Sequence, residues 1–311
     1  MKKLILICVI LLSFFSCESS FDPNADFRQD YAVYFILNGD QTYQTAQLIK
    51  SSPDKNGVSQ IETGIPGAEF RLIYDNSEYI LKDSVSAENP GKNYYTINNF
   101  KPAPGKNIRL NVKTPDGKIL TSETDTPLSI KIQFLEGTDE YVPNGLSRIA
   151  FVWKVLDAPP EGQFYLPRLV IKYYYTDSGV KSYHSKEVPV SLTYQSGKIF
   201  ENYPTPIAGN YLIYDWEAFD YAFERLTLAD TARNNYTVIN AEFELILMDK
   251  SMTSYYMSSK SFEEGFSIIL DQTEFTNITG GFGVFGSYFS AKNYKLRIIS
   301  DYIIARGYKR E

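Results

Sequence analysis

The sequence is poor in the side chains that carry most metal and nucleophilic chemistry. Among 311 residues there is one His and there are two Cys, so zinc sites built on two histidines and motifs such as HExxH are excluded. Basic charge is also scarce, with 31 Lys+Arg against 37 Asp+Glu and a net charge of −6. Nucleic acid is therefore not an expected partner, because phosphate backbones select a basic footprint. No internal repeat or low-complexity tract is present. What is abundant is aromatic, with 25 Tyr and 20 Phe against 19 Gly. These side chains favour strands, so a mainly β protein is expected before any periodicity is read. A content of 43% hydrophobic and 22% charged residues places the chain among folded proteins, and its length allows about two domains.

Met1-Lys2-Lys3 and the apolar run from Leu4 to Phe15 have the charged start and the length of a secretory leader. The run falls short of the roughly 20 residues that span a bilayer. Ser16 then precedes Cys17, and Phe14-Phe15-Ser16-Cys17 has the form of a lipobox, where a bacterial leader is cut before a Cys that receives lipid. Residues 1–16 are read as signal peptide, Cys17 as the lipid attachment site and 17–27 as a tether. Cys8 departs with the leader, so the folded part has no free thiol, forms no disulfide and takes its stability from packed cores. Glu18-Ser19-Ser20-Phe21-Asp22 is mildly acidic and offers anionic lipid no polybasic contact.

From Tyr31 onward, short strand-like runs alternate with turn residues. Phe70, Leu72 and Tyr74 share one face, as do Ile108, Leu110 and Val112, and period two means one buried face. Thr114-Pro115-Asp116-Gly117-Lys118 suits a tight hairpin before Ile119-Leu120. Residues 28–126 read as a small antiparallel sandwich, and Thr124-Asp125-Thr126-Pro127 as the boundary to a second β unit over 127–311. There, Ile149, Phe151, Trp153 and Val155 share a face, Asp157 to Gly162 turns the chain, and Leu169, Ile171, Tyr173 and Tyr175 share another before Asp177-Ser178-Gly179. The strand, Pro-rich turn, strand order is similar to the opening of a fibronectin-III or immunoglobulin-like domain. The expected fold is thus mainly β, two β-sandwich units, with a short helical insertion near 211–231 in the second. In that insertion Asp215 is placed to cap a helix carrying Trp216, Phe219, Phe223, Leu226 and Leu228. Sheet returns with Ile239, Ala241, Phe243, Leu245 and Leu247, followed by a helical turn over 251–259 and a strand from Phe266 to Leu270.

Few residues point to a reaction. His184 lies in a predicted exposed strand without a GxSxG elbow, so it reads as a surface residue. Gly281-Phe282-Gly283-Val284-Phe285-Gly286 matches GxGxxG literally, yet it runs on as an aromatic strand rather than opening a helix. Glycines there permit a bulged or closely packed strand. Asp22, Asn24, Asp26 and Asp30 resemble the start of a calcium loop, but Phe27 replaces its Gly and Val33 its bidentate Glu. Adjacent Glu263 and Glu264 point to opposite faces of an extended chain. No catalytic residue, metal site or cofactor is expected. The aromatics are the better prospect for recognition, since Tyr presents apolar area with a polar tip. Tyr174, Tyr214, Trp216 and Tyr255 are the selected contacts for a sugar ring or protein partner, drawn from the clusters Tyr94-Tyr95, Tyr173-Tyr174-Tyr175, Tyr211 to Trp216 and Tyr255-Tyr256.

The leader with Ser16-Cys17, Gly67-Ala68-Glu69-Phe70, Lys101-Pro102-Ala103-Pro104-Gly105-Lys106 and the stretch from Thr276 to Gly286 together resemble an uncharacterised family of Bacteroidetes lipoproteins, domain of unknown function 4249. The resemblance covers most of the mature chain and is weakest over 130–235. It implies an exported lipoprotein of the outer membrane, on its periplasmic or cell-surface face, associated with TonB-dependent receptors. No site residue carries over. Asp83-Ser84-Val85 and Asp230-Thr231-Ala232 resemble the acceptor triplet of Bacteroidetes O-glycosylation, naming Ser84 and Thr231. The expected function is a non-enzymatic binding or scaffold lipoprotein of a TonB-dependent transport system. A surface glycan- or nutrient-binding protein using exposed aromatics is the alternative, and a carboxylate-based hydrolase a more distant one.

Overall fold

The computed structural model describes residues 30–50, 64–85, 92–134, 140–141, 148–156, 164–227, 230–258, 275–298 and 300–311. The protein is mainly β, built as two sandwich units. In the first, one layer contains β1 (Tyr31–Asn38), β2 (Gln44–Lys50), β5 (Lys82–Val85) and β6 (Asn93–Ile97), in the order β1-β2-β6-β5. The facing layer contains β3 (Glu69–Tyr74), β4 (Ser77–Ile80), β7 (Asn107–Lys113) and β8 (Ile119–Asp125), in the order β4-β3-β7-β8. The alternation in the sequence becomes the core: Phe70, Leu72, Ile108, Leu110 and Val112 are buried against Val33, Phe35 and Leu48. The β7–β8 hairpin closes as the Pro-Asp-Gly order predicts. Thr114 N–H donates to the Lys118 carbonyl at 2.9 Å, and Gly117 takes the left-handed φ of 88°.

The second unit sets β12 (Tyr165–Asp177), β13 (Val180–Val188) and β17 (Tyr236–Met248) against β9 (Ile132–Phe134), β11 (Arg148–Val155) and β16 (Tyr211–Asp215). Phe151 from β11 stacks on Phe243 from β17 with centroids 4.0 Å apart and planes 5° apart, while Trp153 is fully buried beside them. The short β10 (Glu140–Tyr141) pairs in parallel with Arg297 and Ile298, and the hairpin of β14 (Ser191–Gln195) with β15 (Lys198–Asn202) forms a separate two-stranded sheet.

The expected helix forms as α1 (Trp216–Glu224), because Ala218, Phe219, Ala222 and Phe223 gather on one face that the core buries. Asp215 stands at its N-cap, but the expected capping bond is absent; its carboxylate instead lies 3.7 Å from Arg148. The second predicted helical turn is α2 (Lys250–Ser258). Ile239 departs from the expected inward face. Opposite Lys172 and Tyr173 the register of β17 slips, and Val238 takes the fully buried position while Ile239 is half-buried. The turn over 157–162 and the strand from Phe266 to Leu270 fall outside the described residues, as does Leu228.

The 17-residue β18 (Phe282–Ile298) joins the two layers into one sheet. It pairs in parallel with β1 from Phe282 to Tyr288, then antiparallel with β17 from Tyr288 to Leu296. After it come α3 (Ser300–Ala305) and β19 (Lys309–Arg310), which pairs with β17. Residues 28–126 are therefore not the whole of the first sandwich, whose core also takes Ile278 and Phe285 from the far end of the chain.

The glycines at the head of β18 are strand glycines, as the sequence suggests. Gly283 adopts φ 99°, and a Cβ there would stand 2.0 Å from the Val33 carbonyl oxygen. Gly283→Ala is expected to lower stability by about 3 kcal/mol or more through strain and overlap. Gly117→Ala, at a positive φ with open space around it, should cost about 1 kcal/mol. Urea unfolding midpoints of the two variants check the difference.

Candidate functional site

The structure does not gather the nominated aromatics into a surface. Tyr214 is fully buried, edge-on to Phe151 at 5.9 Å, and burial holds its phenol well above the ordinary value. Tyr255, on α2, is buried edge-on to Tyr256. Trp216 is half-buried, stacked on Phe219 and edge-on to Tyr302. Tyr174 is buried as well, with the Lys181 ammonium 4.1 Å from its ring centre. Tyr174 lies on a strand read by period two, while Tyr214, Trp216 and Tyr255 fall in segments read as helical; neither local pattern shows what covers the ring. The same holds for Tyr95, stacked on Phe70 at 4.2 Å.

The other nominated positions are scattered. Cys17, the Asp22 to Asp26 segment and Glu263-Glu264 lie outside the described residues. Ser84 sits on β5 with its hydroxyl 2.9 Å from that of Thr96, and Thr231 falls in the 3-10 turn Asp230–Asn235. His184 is exposed on β13, stacked against Tyr173 at 5.7 Å.

What the fold does assemble is an aromatic end on the β12–β13 hairpin and its neighbour β17. On one face Tyr173 carries His184 and meets Tyr236 at 5.9 Å, while Tyr236 meets Tyr175 at 4.9 Å. On the other face Tyr174 pairs with Tyr183 at 5.6 Å. Hydrogen bonds to Thr237 and then Lys181 draw the Tyr174 phenol below its ordinary value. Burial raises that of Tyr173. At the tip, Val180 and Tyr183 are 68% and 67% exposed. Rings with free faces and nearby hydroxyls can stack on and hydrogen-bond to a ligand. Of this group, Tyr173, Tyr174 and Tyr175 stood in the aromatic clusters of the sequence; Tyr183 was marked only by its place beside His184, and Tyr236 not at all.

A charged network lies further along the outer face of the same sheet. Arg168 Nε is 3.2 Å from Glu187 and its Nη1 3.8 Å from Glu244. Lys172 bonds Glu242 and lies 3.5 Å from Glu244. Three carboxylates thus share two cations, and Glu242 is buried. In this geometry the carboxylates neutralise cations rather than forming an acid and a nucleophile across a scissile bond. The signal was readable: Glu242 and Glu244 alternate with Ala241, Phe243 and Leu245, the mark of a polar strand face. Among the described residues, no group of three His, Cys, Asp or Glu side chains is arranged to hold a metal ion, and no helix is long and apolar enough to cross a membrane.

The family model described as "Domain of unknown function (DUF4249)" matches residues 19–293. The chain belongs to this family. The match takes in both sandwiches and runs into β18. No curated protein matches the chain. Among solved structures, the chain is similar to DIP-gamma IG1+IG2, with TM-score 0.18 and 9% identity over 88% of this chain and 99% of that one. It is also similar to murine CEACAM1b, with TM-score 0.16 and 8% identity over 87% and 100% of the two chains. At scores this low the fold rests on the sheets and cores described above.

The contrast between buried and exposed rings is measurable. Tyr214→Ala is expected to destabilise by about 3–5 kcal/mol, as for a large ring removed from a core. Tyr183→Ala should stay within about 0.5 kcal/mol of the parent. Denaturant unfolding followed by circular dichroism distinguishes the two.

Proposed function

We propose that this family member is a non-enzymatic outer-membrane lipoprotein, tethered through Cys17 and serving as a binding or scaffold component of a TonB-dependent transport system. The observation that carries the reading is the leader: two lysines, the apolar run Leu4 to Phe15, and Ser16 before Cys17. The family match begins at residue 19, just beyond the lipid-bearing position, which accords with a conserved mature part behind a removable leader. β1 begins at Tyr31, leaving a short tether between Cys17 and the first sandwich. The pairing of Glu187, Glu242 and Glu244 with Arg168 and Lys172 weighs against a carboxylate hydrolase. A second reading, direct binding of a surface glycan or nutrient, draws on the exposed Tyr183 and on His184 stacked over Tyr173.

The test is co-purification. The protein, tagged at its C-terminus in its native host, is recovered from outer membranes in mild detergent beside a Cys17→Ala control. Stoichiometric recovery of a TonB-dependent receptor, lost in the control, is the expected result. Recovery of the lipoprotein alone from a verified outer-membrane fraction would refute the transport association and bring glycan binding forward.

A further inference from the structure

The two sandwiches meet on a single strand, and they do so at one residue. Tyr288 of β18 is the last partner of β1, opposite Asn38, and the first partner of β17, opposite Met248. Asp249 follows Met248 and sits at this crossing. Its N–H donates to the Ser287 carbonyl at 3.0 Å. Its side chain accepts three bonds: Oδ1 from the Met252 N–H at 2.7 Å, and Oδ2 from the hydroxyls of Thr124 at 2.6 Å and Ser287 at 2.8 Å. Thr124 belongs to β8 of the first sandwich, Ser287 to the shared strand, and Met252 to the first turn of α2, which packs across β1, β17 and β18. One carboxyl group, directly after β17, therefore ties together β8, β18 and α2. Gly286 makes the room, since a Cβ there would lie 3.2 Å from Oδ1 and 3.1 Å from the Met252 Cβ.

The surroundings decide what happens when this group ionises. Asp249, Thr124 and Ser287 are all buried. Among the described residues, those at the carboxyl are neutral: Thr124 from β8, Ser287 and Gly286 from β18, and Met252 from α2. The nearest charged residues along these elements, Glu123, Asp125 and Lys250, are exposed. Ionised, Asp249 keeps its donors but, among the described residues, has no cation beside it in a water-poor site; protonated, it carries no buried charge and can donate to a neighbouring hydroxyl. We propose that Asp249 is a proton-controlled latch, which fixes the two sandwiches against each other when protonated and slackens when ionised.

Desolvation outweighs the hydrogen bonds from Met252, Thr124 and Ser287 and pushes the carboxyl up to about 6. A folded-state value above the ordinary range means that the closed junction binds the proton more tightly than the open one. The added stability is fully present below about pH 4, the value of a free Asp, and is lost as pH rises through about 6. The test is hydrogen exchange of the full-length protein from pH 4 to 8, corrected for intrinsic exchange. Protection of the Asp249, Met252 and Thr253 amides is expected to fall at least tenfold between about pH 4 and about 6 and to level off above that, while Leu110 and Phe243 in the two cores hold theirs. Asp249→Asn should abolish the step. Should the variant not fold, Thr124→Val, which removes one donor to the carboxylate and leaves the carboxyl, should move the step to higher pH. A flat wild-type profile, a step that survives in Asp249→Asn or stays in place in Thr124→Val, or an equal loss in both cores would overturn the latch.

Discussion

The structure depends on one strand serving two cores. β18 delivers Phe285 to the first hydrophobic core, Val284 to the cluster beneath α2, and Leu296 and Ile298 to the second core. The first sandwich cannot be completed from its own stretch of chain, because β1 would lack its parallel neighbour and the core would lack Ile278 and Phe285. The two units are thus coupled through burial, and loss of packing in either is felt along a shared backbone. The loop before β18 reinforces this. Thr279 bridges to Thr121 of β8, and the Asn277 amide bonds both the N–H and the carbonyl of Phe285, standing in for a neighbouring strand.

The mainly β character, the β7–β8 hairpin and α1 were legible because each is local. Period two in Phe70-Leu72 or Ile149-Phe151-Trp153 reports a strand with one buried face, and Pro-Asp-Gly reports a turn. What escaped is non-local. Local sequence marks Tyr214 and Tyr255 as aromatic, while the residues that cover them come from elsewhere in the chain. The slip of β17 at Ile239 is likewise set by pairing with β12 rather than by its own residues. Asp249, between the apolar end of β17 and a helix start, was readable as an N-cap; its buried partners on β8 and β18 were not.

The same logic divides the polar from the aromatic surface. On β12 and β17 one face feeds the second core, and the other carries Arg168, Lys172, Glu242 and Glu244 in mutual pairing. That ionic face specifies which side of the strand turns outward, since a slip by one residue would bury the charges and expose Phe243. Toward the hairpin tip the charges give way to tyrosines, and there the protein presents rings to its surroundings. The leader and this aromatic end are the two features through which an anchored binding role is most directly argued.

The parallel pairing of β1 with β18 also orders events in time. Synthesis runs from the N-terminus, and β1 acquires its second neighbour only when residues 282–288 have emerged, near the end of the chain. Until then the first sandwich's layer ends at β1, with one edge of that strand unpaired and the cleft that Phe285 later fills still open. For a chain with the proposed leader, the topology postpones completion of the first sandwich until residues 282–288 are available.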